Sequence, residues 1–276
     1  MPNSILSGEW YSQALGRPTK ISALLPPSLT DRQAPKKDDY KTVYLLPGAL
    51  SSSDAIFTET DLASPYDGIA AEGVIIIAVT PTFSFYCDYK SDYKYAHQYY
   101  TYIVKELVDM TRTLFPISQK PEDTAIYGCS MGGFGAWLCG LNNPELFGYI
   151  GAQSGMLDMQ WAIDHRPFMT VKHRRQYGDL KDITGTMYDL YDLTKKLNAR
   201  AWAGEAVPKL FQSWGGEEDY LNIPNIHMNE HMKTMKHLDY TCCKLHCRHG
   251  WGEHNEGVNL FMDWFLSQKR RKGGAE

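Results

Sequence analysis

The segment Thr124-Ala125-Ile126-Tyr127-Gly128-Cys129-Ser130-Met131-Gly132-Gly133-Phe134-Gly135 runs from an apolar, strand-like stretch through Gly-x-Ser-x-Gly into a helical pattern. A strand that turns sharply into a helix holds its apex residue in a strained backbone conformation, and small residues two before and two after relieve the crowding. This exposes the Ser130 hydroxyl. Met131 would open the helix with its N–H free, at the positive end of the helix dipole, so that a donor points at a developing oxyanion. The other readings are a glycine-rich turn without chemistry and a phosphate cradle. No Gly-x-x-x-x-Gly-Lys follows, which weakens the cradle.

Outward from this segment, short apolar runs at Thr42–Leu46, Val74–Val79, Tyr149–Ala152, Leu210–Trp214 and Tyr240–Cys247 alternate with helical patterns. The helices are expected at Tyr95–Leu114, Phe134–Leu141, Met187–Leu197, Ile226–Leu238 and Gly257–Gln268. Near-continuous β-branched strands between helices indicate a mostly parallel sheet covered on both faces. Glu9–Leu15 and Thr19–Leu25, around Gly16-Arg17-Pro18, give that α/β sheet an antiparallel start. No repeat or linker divides the chain, so one domain over residues 1–276 is expected, with the irregular 156–206 region a candidate lid or insertion.

Length and composition agree. With 276 residues, 43% apolar and 13% aromatic, the chain can bury a large core. Its 28 basic and 32 acidic residues leave a net charge of −4, too little basic field to favour nucleic acid or anionic lipid. The longest strongly apolar run, Val74–Val79, is far short of the roughly 20 residues that span a bilayer, and no basic-then-apolar leader opens the chain. A cytoplasmic address follows as an expectation. The six cysteines are dilute, and adjacent Cys242 and Cys243 suit a disulfide scaffold poorly, so reduced thiols are expected.

A serine nucleophile needs a base, and the base needs an acid that fixes its tautomer. After the strand Leu210–Trp214 comes Gly215-Gly216-Glu217-Glu218-Asp219-Tyr220-Leu221, and after the last strand His249-Gly250-Trp251-Gly252-Glu253-His254. The order serine, acid, histidine is that of the α/β-hydrolases. Asp219 is favoured over Glu217 and Glu218 because it lies deepest in its turn. His254 is favoured as the base for its Gly252-x-His setting ahead of the last helix, with His249, nearer the strand end, as its rival. In Tyr44-Leu45-Leu46-Pro47-Gly48-Ala49, Gly48 would let the backbone approach a substrate and the Ala49 N–H would join that of Met131. One such oxyanion donor is worth about 3 kcal/mol.

These segments resemble the esterase D and tributyrin esterase group of α/β-hydrolases, relatives of S-formylglutathione hydrolases and of feruloyl and acetyl esterases. The resemblance covers most of the chain. Tyr11–Arg17, Phe85-Tyr86-Cys87-Asp88, Gly128–Ala136, Gly216–Leu221 and Gly252-Glu253-His254 carry it. It implies the α/β-hydrolase fold, with Ser130 as nucleophile, Asp219 as orienter, His254 as base, and Ala49 with Met131 as oxyanion donors. It further implies hydrolysis of short-chain acyl, acetyl or feruloyl esters without metal or organic cofactor. The chain departs from the group twice: Pro47-Gly48 stands where relatives have His-Gly, and Asn255-Glu256 follows His254 where relatives show a Trp soon after the catalytic histidine.

Other clusters read more plainly. Cys242-Cys243-x-x-His246-Cys247-x-His249 is rich in metal ligands, but on a strand its side chains alternate, so core cysteines on a buried strand are expected rather than zinc. His227 and His231 are expected as exposed helix residues. Glu217 to Asp219 are too close together to flank one glycosidic bond. The run Lys269–Lys272 is expected as a solvated end. The expected partner is a small ester, with no nucleic acid and no membrane, and association into a homo-oligomer is left open. An acyltransferase using the same triad, or a binding protein on the same fold, are the alternatives.

Overall fold

A computed structural model of the chain describes residues 3–30, 39–64, 73–89, 97–166, 182–216 and 219–272. Its strands are β1 (Ser4–Ser12), β2 (Arg17–Leu25), β3 (Lys41–Leu46), β4 (Val74–Val79), β5 (Thr124–Cys129), β6 (Tyr149–Gln153), β7 (Lys209–Trp214) and β8 (Tyr240–Lys244). They form one sheet in the order β1-β2-β4-β3-β5-β6-β7-β8. The β1–β2 and β2–β4 pairs are antiparallel and all others parallel. Gly16, at φ +61°, makes the first turn, so the antiparallel start is as expected. Because β5 lies centrally and all its neighbours on either side are parallel, its C-terminal end opens onto the edge where such sheets bind ligands.

The main helices are α1 (99–114), α2 (Met131–Asn142), α3 (Met159–His165), α4 (Leu190–Trp202), α5 (Asn222–Met232) and α6 (Trp251–Lys272). Alternate residues of each strand feed opposite layers. Tyr44, Leu46, Ile75 and Ile77 pack with α1, α2, α4 and α5, while Val43, Leu45, Val74 and Ile76 pack with Ile56, Phe57 and α6. Burial on both faces is why these strands read as unbroken apolar runs. Among the described residues no helix is long and apolar enough to cross a membrane.

Several expectations change. The last helix begins at Trp251, six residues before the expected Gly257, so His254 lies inside it. Gly257 looked like a boundary, yet it lies inside the helix, at a place where a Cβ would come within 2.5 Å of the Gln153 side chain. α5 starts at Asn222, with Pro224 tolerated in its first turn. The cysteine-rich segment is not a buried strand: β8 ends at Lys244, pairs only with β7, and leaves Cys242 exposed. No disulfide joins the six cysteines. His227 is exposed and pairs with Asp158 at 2.8 Å, but His231 is half-buried, its Nε2 2.8 Å from the Thr194 hydroxyl. Of the candidate lid, residues 167–181 lie outside the described residues, as do Glu217, Glu218 and the side chains of Lys269–Lys272. On either side of 167–181 stand the regular helices α3 and α4, packed on α5 and α2.

Candidate active site

Ser130 follows β5 and caps α2 at φ 57° and ψ −121°, a left-handed conformation costly for any residue but glycine. Its environment holds it there. The Ser130 N–H donates to the Gln153 carbonyl at 2.8 Å, and its own carbonyl accepts from the Gly133 N–H at 2.9 Å. The flanking glycines permit the approach: a Cβ on Gly128 would lie 2.0 Å from the Gly132 carbonyl oxygen, and one on Gly132 would lie 1.8 Å from that of Leu46. The adjacent thiol of Cys129 is no competitor for the nucleophile's part, because complete burial pushes its pKa up to about 12.

The histidine facing Ser130 is His249. Its Nε2 lies 3.0 Å from the Ser130 hydroxyl oxygen. His254 is placed otherwise: its ring stands at 90° to that of His249, with centroids 5.2 Å apart, and its buried Nδ1 has no hydrogen-bond partner. The expectation for His254 is corrected on that geometry. Once α6 starts at Trp251, residue 254 is carried round the first turn of the helix, whereas residue 249 stays in the loop at the end of the sheet. Burial and the neighbouring His249 charge push the His254 imidazole down to about 4, which keeps it neutral.

Asp219 is brought beside His249. It is 2% exposed, and its Oδ1 is 3.5 Å from Nδ1 of His249. Burial would raise its pKa, but contacts with His249, Ser154 and the Leu221 N–H outweigh this and hold the carboxyl below its usual range. The Ser154 hydroxyl donates to Oδ2 at 2.6 Å, and the Leu221 N–H to Oδ1 at 2.8 Å. A second acid, which the sequence reading passed over, is also here: Glu253 is fully buried, with its Oε2 3.4 Å from the same Nδ1. Burial alone would lower the His249 pKa, yet the close carboxylates of Asp219 and Glu253 reverse this and raise it to about 9. Asp219, His249 and Glu253 are the group of metal-donor atoms that converge within 4.8 Å among the described residues. With the other ring nitrogen on Ser130, the set is arranged to move a proton.

The loop after β3 closes the site. Gly48 approaches so nearly that a Cβ would sit 3.3 Å from that of Ser130. The buried Tyr86 hydroxyl donates to the Pro47 carbonyl at 2.9 Å, giving the loop a support where relatives are expected to carry histidine. Ala49 and Ser130 line one cavity of about 370 Å³, together with Ile56, Tyr220, Trp251 and His254. Met131 is the first residue of α2, and a first-turn N–H has no acceptor within its own helix.

A mostly parallel sheet whose elbow serine meets a histidine and a buried acid defines the α/β-hydrolase class, here of the serine type that acts on carboxylic esters. The chain belongs to the esterase family: the model of the family described as "Putative esterase" matches residues 12–237. It is 27% identical over 273 residues to an acetyl esterase of Caldicellulosiruptor saccharolyticus, covering 95% of this chain and 97% of that protein. A 69-residue stretch, 25% of this chain and 24% of the relative, is 36% identical to the S-formylglutathione hydrolase of Bos taurus. In fold it matches the Staphylococcus aureus serine hydrolase FphF, with TM-score 0.81, 24% identity, and coverage of 96% of this chain and 99% of that one.

Proposed function

We propose that the protein is a serine carboxylesterase for small acyl esters in which Ser130 is the nucleophile, His249 the base and Asp219 the acid that fixes the imidazole. The observation that carries this is the 3.0 Å contact between His249 Nε2 and the Ser130 hydroxyl, with the opposite ring nitrogen turned to buried carboxylates. Nε2 takes the hydroxyl proton as Oγ bonds to the ester carbonyl carbon, and the carbonyl electron pair moves onto oxygen. The N–H groups of Met131 and Ala49 are the donors proposed for that oxyanion. Collapse breaks the bond to the alcohol, which leaves with the proton held on Nε2. Water then repeats both steps on the acyl-enzyme.

The cavity supports small acyl groups. Its volume of about 370 Å³ and its Ile56 and Trp251 walls have room for acetyl, butyryl or feruloyl groups. The acetyl esterase relative supports the acetyl reading. We read residues 1–276 as one domain, since a single sheet takes strands from both ends of the chain.

The test is hydrolysis of p-nitrophenyl acetate, butyrate and octanoate and of methyl ferulate by the wild type and by Ser130→Ala. Turnover that falls with acyl length and vanishes in the variant is expected. Equal rates in both proteins would remove Ser130 from the mechanism.

A further inference from the structure

Glu253 is a fully buried carboxylate on the first turn of α6, four residues after His249. Burying such a group costs several kcal/mol unless it is paired or hydrogen-bonded. Its Oε1 lies against the Ser154 hydroxyl oxygen, whose single proton it shares with Asp219 Oδ2. Its Oε2 has no hydrogen bond, and neither does Nδ1 of His249, yet these two atoms face each other at 3.4 Å. The distance from the same Nδ1 to Asp219 Oδ1 is 3.5 Å, and that oxygen is already engaged by the Leu221 N–H. Both acids thus lie beside Nδ1, and Oε2 of Glu253 is the oxygen that has no other donor.

We infer that Glu253 is a second positioning acid for the base: it shares the Nδ1–H of His249 with Asp219, so that the imidazolium formed during acyl transfer rests between two carboxylates. This rests on the assignment of Ser130 and His249 above. The rest of the molecule fixes Glu253 for that part. Its backbone carbonyl accepts from the Gln153 amide at 2.7 Å, and the start of α6 places the positive end of a helix dipole beside its side chain. Ser154 ties the two acids together, accepting from the Gly215 N–H at 3.2 Å.

The other titratable side chains packed around His249 add no negative charge of their own. On α6, His254 is neutral, as above. In the preceding loop, Cys247 is pushed up to about 11 by burial and by Glu253 and Glu256, and stays a thiol. From the loop after β7, Tyr220 presents its ring at 4.8 Å, and its phenol is raised by burial. Of the cations, Arg248 precedes His249 in the chain, and Arg166, after α3, donates to the Tyr220 carbonyl at 2.9 Å. The proton balance is unchanged: Nδ1 keeps its hydrogen throughout, and Glu253 takes part by charge and orientation alone.

The experiment is the pH profile of kcat/KM for p-nitrophenyl acetate in the wild type, Glu253→Gln, Asp219→Asn and the double variant, with Ser130→Ala as control. Glu253→Gln should move the acid limb down by roughly one pH unit, because one of two nearby negative charges is gone. Asp219→Asn should lose less than about 100-fold in kcat, where a lone orienting aspartate is worth about 10⁴. The double variant should fall to the level of His249→Ala. An unmoved acid limb in Glu253→Gln, or a loss of about 10⁴ in Asp219→Asn, would overturn the inference and leave Glu253 a packing residue. Should Glu253→Gln fail to fold, the downfield NMR resonance of the His249 Nδ1–H in Asp219→Asn decides: persistence supports the second acid and disappearance refutes it. Turnover surviving in Ser130→Ala would instead refute the assignment on which the inference rests.

Discussion

His249 and His254 meet edge to face, 5.2 Å apart at 90°, and of the two only His249 reaches Ser130. Two imidazoles five residues apart thus hold different environments. His249 has carboxylates at Nδ1 and a hydroxyl at Nε2, while His254 has a buried Nδ1 with no partner.

His249→Ala should therefore lower kcat for p-nitrophenyl acetate by about 10³-fold or more, the scale of losing a base that acts as a unit with its serine. His254→Ala should stay within about tenfold of wild type, because it removes one wall of the cavity and no proton acceptor. Steady-state kinetics on the two purified variants make the comparison, and a reversed order would return the base to residue 254.

The pH dependence follows from the same contacts. A base must be neutral to accept the Ser130 proton, and the carboxylates hold His249 protonated to about pH 9. Activity should then rise with pH through an inflection above the ordinary histidine value of about 6.5. A kcat/KM profile that is already flat at pH 6.5 would contradict this.

The elbow glycines should be the least replaceable residues of the site. Gly128→Ala and Gly132→Ala each drive a methyl against a backbone carbonyl, at 2.0 and 1.8 Å, where no side chain can yield. Each should cost about 3 kcal/mol or prevent folding, as read by urea unfolding. Gly48→Ala, whose nearest contact is 3.3 Å, should fold and lose activity instead. A Gly132→Ala protein as stable as wild type would show that the elbow is built differently.

Tyr86→Phe removes the hydroxyl that donates to the Pro47 carbonyl. With that carbonyl left without its donor, stability should fall by about 1–2 kcal/mol. If the loop supplies an oxyanion donor, kcat should drop while KM changes little. A variant with full kcat would detach Tyr86 from the site.

The sheet and the elbow were legible in the sequence because both depend on local signals. Strands buried on both faces read as apolar runs, and a serine between two glycines at a strand end has few other uses. The choice of histidine was not legible in the same way, since it turned on where α6 begins. Gly252 and Gly257 suggested a late start, whereas Gly257 in fact lies inside the helix, where a Cβ would meet Gln153. Trp251, two residues after His249, was the signal that could have corrected it. Glu253 and Ser154 were missed because their meeting with Asp219 joins segments 99 and 65 residues apart, which no local pattern records. The edge position of β8 depends likewise on sheet order.

The central claim is that His249 activates Ser130. The most direct measurement is covalent labelling with a fluorophosphonate, followed by peptide mass mapping, on the wild type, His249→Ala and His254→Ala. The account predicts an adduct on Ser130 in the wild type and in His254→Ala, and none at the same exposure in His249→Ala. Labelling that survives in His249→Ala and fails in His254→Ala, or an adduct on another residue, would contradict it.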